Sequence, residues 1–158
     1  MKNRICLPVA GVLLTVLASA GCSGAESSGC PVPRAAEVAE VAAGAATVAK
    51  VTFRKVAALA DGTTETEGWL VEGTGTVKGP ALGRPTAVWP TIDAGTPKEG
   101  ERLVLFLSPH EGRTTMDGAA ASGYDVVREG GVLVESGGGL ARLCREGRSQ
   151  PVPPEILG

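Results

Sequence analysis

The stretch Gly100-Glu101-Arg102-Leu103-Val104-Leu105-Phe106-Leu107 decides the fold class. Five consecutive apolar residues follow two charges, without the spacing of an amphipathic helix or the alternation of a half-buried strand. Bounded by Gly100 on one side and Ser108-Pro109 on the other, the run reads as a central strand covered on both faces. Towards the amino terminus, Ala49, Val51 and Phe53 alternate with Lys50, Thr52 and Arg54, which predicts a half-buried strand beginning near Ala46. Lys55 breaks that alternation, and a bulge is expected near Arg54. Residues 61–68 read as a polar turn. Trp69, Val71 and Val77 then share one face of a second strand, with Gly73 and Gly75 on the same face as points of bending or close packing.

A third strand is expected over 86–92, with Pro90 confining it to an edge or an irregularity, and residues 93–100 read as a turn. Downstream of the central run, residues 109–122 are small and polar and predict a mobile loop. Residues 123–128 and 132–134 predict a hairpin around Glu129-Gly130-Gly131. Gly137-Gly138-Gly139 reads as a flexible link, after which 140–145 carries Cys144 back towards the start of the domain. The Pro-rich tail, 146–158, is expected to fray. Ahead of the strands, residues 34–43 form a short helix of good intrinsic propensity, with Glu37 and Glu40 on one face and Gly44 as its stop. The pattern is mainly β: five or six short strands between Gly-rich turns, one amino-terminal helix, and a small barrel or sandwich as the architecture.

The first residues carry a different message. Lys2 and Arg4 precede an apolar run, residues 5–17, which closes on Ala18-Ser19-Ala20-Gly21-Cys22. The run is too short and too interrupted by Pro8 and Gly11 for a spanning helix, which needs about 20 apolar residues; its three parts are those of an export signal. Two cleavage registers compete. Ala18-x-Ala20 suits the ordinary secretory peptidase, cutting before Gly21. Ser19-Ala20-Gly21-Cys22 resembles the bacterial lipoprotein signal, although Ser19 stands where Leu or Val is usual; that resemblance implies cleavage before Cys22 and acylation of its thiol.

Four cysteines bear on the choice: Cys6, Cys22, Cys30 and Cys144. Cys6 leaves with the signal. If Cys22 is acylated, Cys30 and Cys144 remain as one pair; if Cys22 stays a thiol, the exported domain keeps an odd cysteine. The signal is taken as 1–21, a small polar tether as 22–33, the folded domain as 34–145 and the tail as 146–158. An exported domain tolerates the disulfide, and in the chain-entropy model a loop this long contributes about 4–5 kcal/mol.

Charge narrows the partners. Of 15 basic residues, Lys2 and Arg4 depart with the signal, leaving 13 against 17 acidic. Both signs are interspersed and no basic face is implied, so nucleic acid is not an expected partner. The aromatic side chains are Phe53, Trp69, Trp89, Phe106 and Tyr124, so the core must be built from Val, Leu and Ala. Abundant Ala, Gly, Val and Arg with scarce Lys suggest a high-GC bacterial genome.

No catalytic constellation emerges. His110 is the only histidine, in Ser108-Pro109-His110-Glu111 at a strand end; one His without a Cys or carboxylate cluster at ligand spacing makes a poor metal site, and a plain surface histidine is expected. Gly73-Thr74-Gly75-Thr76-Val77-Lys78-Gly79 matches neither phosphate-loop pattern, and its glycines read as structural. No catalytic residue, metal ligand or cofactor is assigned. Trp69 and Trp89 read first as core; with His110 they are also the candidates for a binding surface.

The order of segments, with Val48-Ala49-Lys50-Val51 on the first strand, Val77-Lys78-Gly79 ending the second, Gly100-Glu101-Arg102-Leu103-Val104-Leu105-Phe106-Leu107 and then Gly123-Tyr124, resembles small exported bacterial domains related to the OB-fold of tissue inhibitors of metalloproteinases. The resemblance spans roughly residues 30–145 and implies an OB-like β-barrel. It does not carry the inhibitory mechanism, because the Cys-x-Cys start of those inhibitors is missing and an acylated Cys22 would be held at the membrane. The expectation is a bacterial, membrane-anchored, extracytoplasmic domain with a binding or structural role and an envelope protein as partner. The alternatives are an envelope hydrolase or accessory enzyme with a site in 108–125, where His110, Asp117 and Asp125 would have to converge, or a protease inhibitor.

Overall fold

Strand β4 (Arg102–Pro109) lies at the centre of a computed structural model that describes residues 29–158. The signal, Cys22 and residues 23–28 lie outside the described residues. The expectation for 103–107 holds: all five side chains are buried, and they divide by parity. Leu103, Leu105 and Leu107 join an inner cluster with Val51, Phe53, Trp69 and Val71. Val104 and Phe106 join an outer cluster with Val38, Val41, Leu133 and Leu140. Alternate side chains of a strand point to opposite faces, so a strand apolar at every position is the one that can join two cores.

Around β4 five strands close into a ring. Strand β1 (Thr47–Asp61) pairs antiparallel with β2 (Thr64–Lys78), and β2 with β3 (Thr86–Trp89). Strand β7 (Gly123–Val126) runs parallel to β3 and antiparallel to β4, and β4 pairs back to β1. Beyond the ring, β8 (Val132–Ser136) continues along β4, and β9 (Gly139–Cys144) and β10 (Gly147–Arg148) extend the sheet. On the other side β5 (Thr114–Met116) and β6 (Ala119–Ala120) pair off the end of β1.

The expected bulge is present: the β1–β2 register shifts between Phe53 and Lys55. One extra residue reverses which face the following side chains take. Ala49, Val51 and Phe53 accordingly fill the inner cluster, whereas Ala57 and Leu59, at positions of the same parity, turn to a third cluster with Ala87.

Helix α1 (Ala35–Gly44) lies where the sequence placed it and covers the outer cluster with Val38 and Val41. Its polar face is tied down by charge. Arg142 Nη2 lies 3.0 Å from Glu37 Oε1, and Arg128 donates from both terminal nitrogens to Glu40 Oε1, 3.0 Å each. The last turn of the helix contains no cation of its own. Lys78, from the end of β2, supplies one: its Nζ donates to the carbonyls of Ala42 at 2.8 Å and Ala45 at 2.7 Å, satisfying acceptors that a helix end leaves open. Glu101 works in the same way at the start of β4. Its carboxylate accepts the Lys98 backbone N–H at 2.8 Å and pairs with Arg148 on β10.

Several expectations fail, each for a physical reason. The polar turn shrinks to Gly62-Thr63, because residues 64–68 continue β2 against β1. Strand β3 stops at Trp89, since Pro90 has no N–H to carry the ladder on. Val77 is exposed: the β1–β2 register shifts twice towards the end of β2, leaving Thr74 and Val77 as extra residues, so the expected alternation of faces does not carry through to position 77. Residues 109–122 are a loop only in part, because Asp117-Gly118, with φ of 49° and 81°, turns β5 into β6.

The predicted hairpin is not one either. Strands β7 and β8 pair with the same edge of β4, at 107–109 and 103–105, as one strand interrupted by a five-residue excursion, residues 127–131. Phe106 closes the interruption: its N–H donates to Gly131 at 3.1 Å and its carbonyl accepts from Val127 at 3.0 Å. Gly137 and Gly138, at φ 56° and 83°, form the two-residue turn between β8 and β9 rather than a flexible link. The tail does not fray: Val152 and Leu140 exchange two backbone bonds of 2.8 Å, and Ile156 and Leu157 of the 3-10 turn Pro154–Leu157 pack on the outer cluster.

The hydrogen bond from Arg142, reinforced by its charge and opposed by partial burial, holds the Glu37 carboxyl below its ordinary value. A carboxyl lowered on folding stabilises the protein above its unfolded value, about 4.3, and loses that contribution as pH falls through its folded value. Glu37 is 36% exposed, so screening keeps the contribution to about 0.5–1 kcal/mol. Urea denaturation should therefore show Glu37→Gln less stable than the wild type by about that much at pH 7, with the gap closing in strong acid; a gap that widens in acid contradicts the assignment.

Candidate functional site

Where the ring meets the far end of the β1–β2 hairpin, four segments converge on His110. Strand β4 ends one residue before it, and its backbone N–H donates to Gly123 at the start of β7, 3.0 Å away. The β7 register brings Asp125 opposite Ser108, and both Asp125 carboxylate oxygens lie 3.0 Å from His110 Nδ1. Asp61, the last residue of β1, approaches from the other side, its Oδ2 lying 3.5 Å from Nε2. Trp89, the last residue of β3, stacks on the imidazole with ring centroids 3.9 Å apart and planes at 17°. The indole N–H is occupied as well, donating to Thr66 Oγ1 at 3.2 Å.

Gly123 makes this approach possible. A Cβ there would collide with Thr114 Oγ1 and come within 2.7 Å of the Trp89 ring. His110 is consequently 14% exposed, which corrects the expectation of a plain surface histidine. Its Nδ1 faces one carboxylate. Its Nε2 is sealed from solvent, near a second carboxylate but with no hydrogen-bond partner. The separation from Asp61 is within ion-pair range and outside hydrogen-bond geometry.

The arrangement limits the chemistry. A general base needs a ring nitrogen within reach of the proton it removes, and here one nitrogen is engaged and the other enclosed. The two carboxylates face opposite nitrogens of a single ring and do not converge on a common point. Among the described residues no group of three or more His, Cys, Asp or Glu side chains is placed to hold a metal ion. Beside the ring, Ser108, Pro109, His110, Glu111 and Asp125 line a wide-mouthed hollow of ≈ 570 Å³.

The structure distributes the other candidate residues as follows. Trp69 is buried and meets Phe53 edge-to-face, with centroids 6.0 Å apart, so it belongs to the core. The candidate surface of Trp69, Trp89 and His110 therefore reduces to the stacked pair Trp89–His110. Asp117 does not join His110 and Asp125; it pairs with Lys55 at 3.3 Å and is 60% exposed. Cys30 and Cys144 are joined, with Cα atoms 5.5 Å apart. Cys22 lies outside the described residues. Sequence reasoning missed Asp61, assigned to a turn; no local signal marks it, since it reaches His110 through the pairing of β1 with β5. The hairpin beside it had a signal, Asp117-Gly118 between short β-compatible segments.

Comparison with protein-family models, with curated proteins and with solved structures finds no match for this chain.

Removing the Asp125 carboxylate leaves a largely enclosed Nδ1–H without a partner. Asp125→Ala should cost roughly 1–2 kcal/mol in urea denaturation, whereas Asp117→Asn, which tolerates the positive φ, should stay within about 0.5 kcal/mol. Equal small effects would show that the imidazole–carboxylate pair does not hold this end of the ring together.

Proposed function

We propose that this chain is a lipid-anchored, extracytoplasmic bacterial protein whose OB-like β-barrel has a binding or structural role. The observation that carries the reading is the joining of Cys30 to Cys144. With Cys6 in the signal, that pairing leaves Cys22 as the cysteine available to an acyl chain. Each buried methylene of such a chain contributes about 0.8 kcal/mol, and several chains together make a durable anchor. A ring of five strands filled by side chains suits an OB-like barrel. The tail strapped across the outer cluster and the helix clamped by Glu37, Glu40 and Lys78 suit a rigid module built to present a surface.

The enclosed Nε2 of His110 supports binding over catalysis. An envelope hydrolase using residues 108–125 would have to uncover that nitrogen and recruit a nucleophile to it. Beside the buried Cys30 the residues Gly29, Pro31 and Val32 are exposed, so a protease inhibitor presenting this region is the second reading. An envelope protein remains the proposed partner class.

Metabolic labelling with a clickable palmitate analogue tests the anchor. The wild type should be labelled and sediment with membranes, and Cys22→Ala should lose both properties. An unlabelled wild type whose mature chain begins at Gly21, or a labelled Cys22→Ala variant, overturns the reading.

A further inference from the structure

The described chain begins beside the Cys30–Cys144 bond, and an exposed apolar side chain stands at the same place. Ile92 is 90% exposed, against 42–44% for the other exposed large apolar side chains, Val32, Val56 and Val77. It sits at the tip of a turn closed by the Ala94 N–H bonding to the Thr91 carbonyl at 3.1 Å. That turn is fixed to the disulfide strand: the Arg145 N–H, next to Cys144, donates to the Asp93 carbonyl at 2.7 Å. With Gly29, Pro31 and Cys144, Ile92 lines one shallow hollow at the point where the chain enters the fold. Val32, two residues past Cys30, adds a second exposed apolar group close by in the chain. Turn tips favour Gly, Asn, Asp and Ser, whereas this rigidly held turn lifts an isoleucine into solvent.

We propose that the Ile92 turn is the membrane-facing contact of this domain, with Ile92 entering the interfacial layer of the bilayer that holds the anchor. The proposal rests on the lipid-anchor reading, because the anchor determines which surface meets the membrane. Seven residues separate Cys22 from Cys30, and a chain of that length spans at most about 28 Å. The face beside Cys30 is therefore never far from the bilayer. A short tether also holds the contact at a high effective concentration, so even the modest gain from one apolar side chain biases the orientation of the domain. Four carboxylates, Glu37, Asp93, Glu129 and Glu146, outnumber Arg142 and Arg145 around the same hollow. The contact is accordingly apolar and gains nothing from anionic lipid.

Fluorescence quenching by brominated lipid tests this on the full, host-processed chain reconstituted in phosphatidylcholine vesicles. Ile92→Trp is compared with the wild type, whose Trp69 and Trp89 give the background, and with Val77→Trp as a distant control. The expected result is flotation of all three proteins with the vesicles and added quenching for Ile92→Trp alone, with no increase when phosphatidylglycerol is added. Flotation without added quenching at position 92, or equal quenching at position 77, overturns the membrane-facing turn and leaves the anchor standing. Failure of the processed wild type to float overturns the anchor and the proposal with it.

Discussion

Every layer of this fold depends on one strand that is apolar on both faces. Leu103, Leu105 and Leu107 fill the ring, while Val104 and Phe106 anchor the helix and the tail on its outside. A polar residue at any of these positions would meet a dry interior, where an uncompensated polar group costs several kcal/mol. The backbone of the same strand is equally committed. One edge pairs with β1, and the other serves β7 and β8 in succession, with Phe106 bridging the gap between them. Large aromatic groups are few, so the core gains its area from many Val and Leu side chains held at close quarters. Covalent and ionic ties reinforce that arrangement at its margins, through Cys30–Cys144, Glu37–Arg142 and Glu101–Arg148.

The histidine cluster follows from the same topology. Strand β4 delivers His110 to the rim of the ring, β7 brings Asp125 back beside it, and the long β1–β2 hairpin overhangs with Asp61. At that rim the stacked rings and the imidazole–carboxylate contact add to the aliphatic packing of the third cluster. Three residues beyond Trp89 the chain reaches Ile92, whose turn is bonded through Asp93 to the disulfide strand at Arg145. The stacked pair consumes its aromatic and polar groups internally, whereas the Ile92 turn projects a single apolar side chain.

The local signals were legible where the physics is local. Helix α1 was readable from propensity and its Gly44 boundary, the inner face of β1 from strict alternation, and the bulge at Arg54 from the point where alternation broke. The double coverage of β4 was readable from an apolar run too dense for one face. What escaped was decided by distant partners. Nothing near residues 127–131 says that β7 and β8 share the edge of β4 rather than pair with each other. Nothing near 146–158 says that Val152 finds Leu140. His110 looked ordinary because its two carboxylates lie 49 and 15 residues away in the chain. Asp117-Gly118 and Gly137-Gly138 are different: both are two-residue hairpin signals, and the polar composition around them concealed turns that backbone chemistry favours.

The central claim is that β4 is the element on which both cores depend, so its backbone should open only when the whole domain unfolds. Native-state hydrogen exchange measures this directly. The account predicts that the amides of Leu103, Val104, Leu105 and Phe106 exchange last, with opening free energies equal to the global unfolding value across a denaturant series. The short strands β5 and β6 and the 3-10 turn should exchange earlier through local openings. If the β4 amides instead exchange by a sub-global opening while β8 and β9 stay protected, the outer sheet is stable without the ring and the account is wrong.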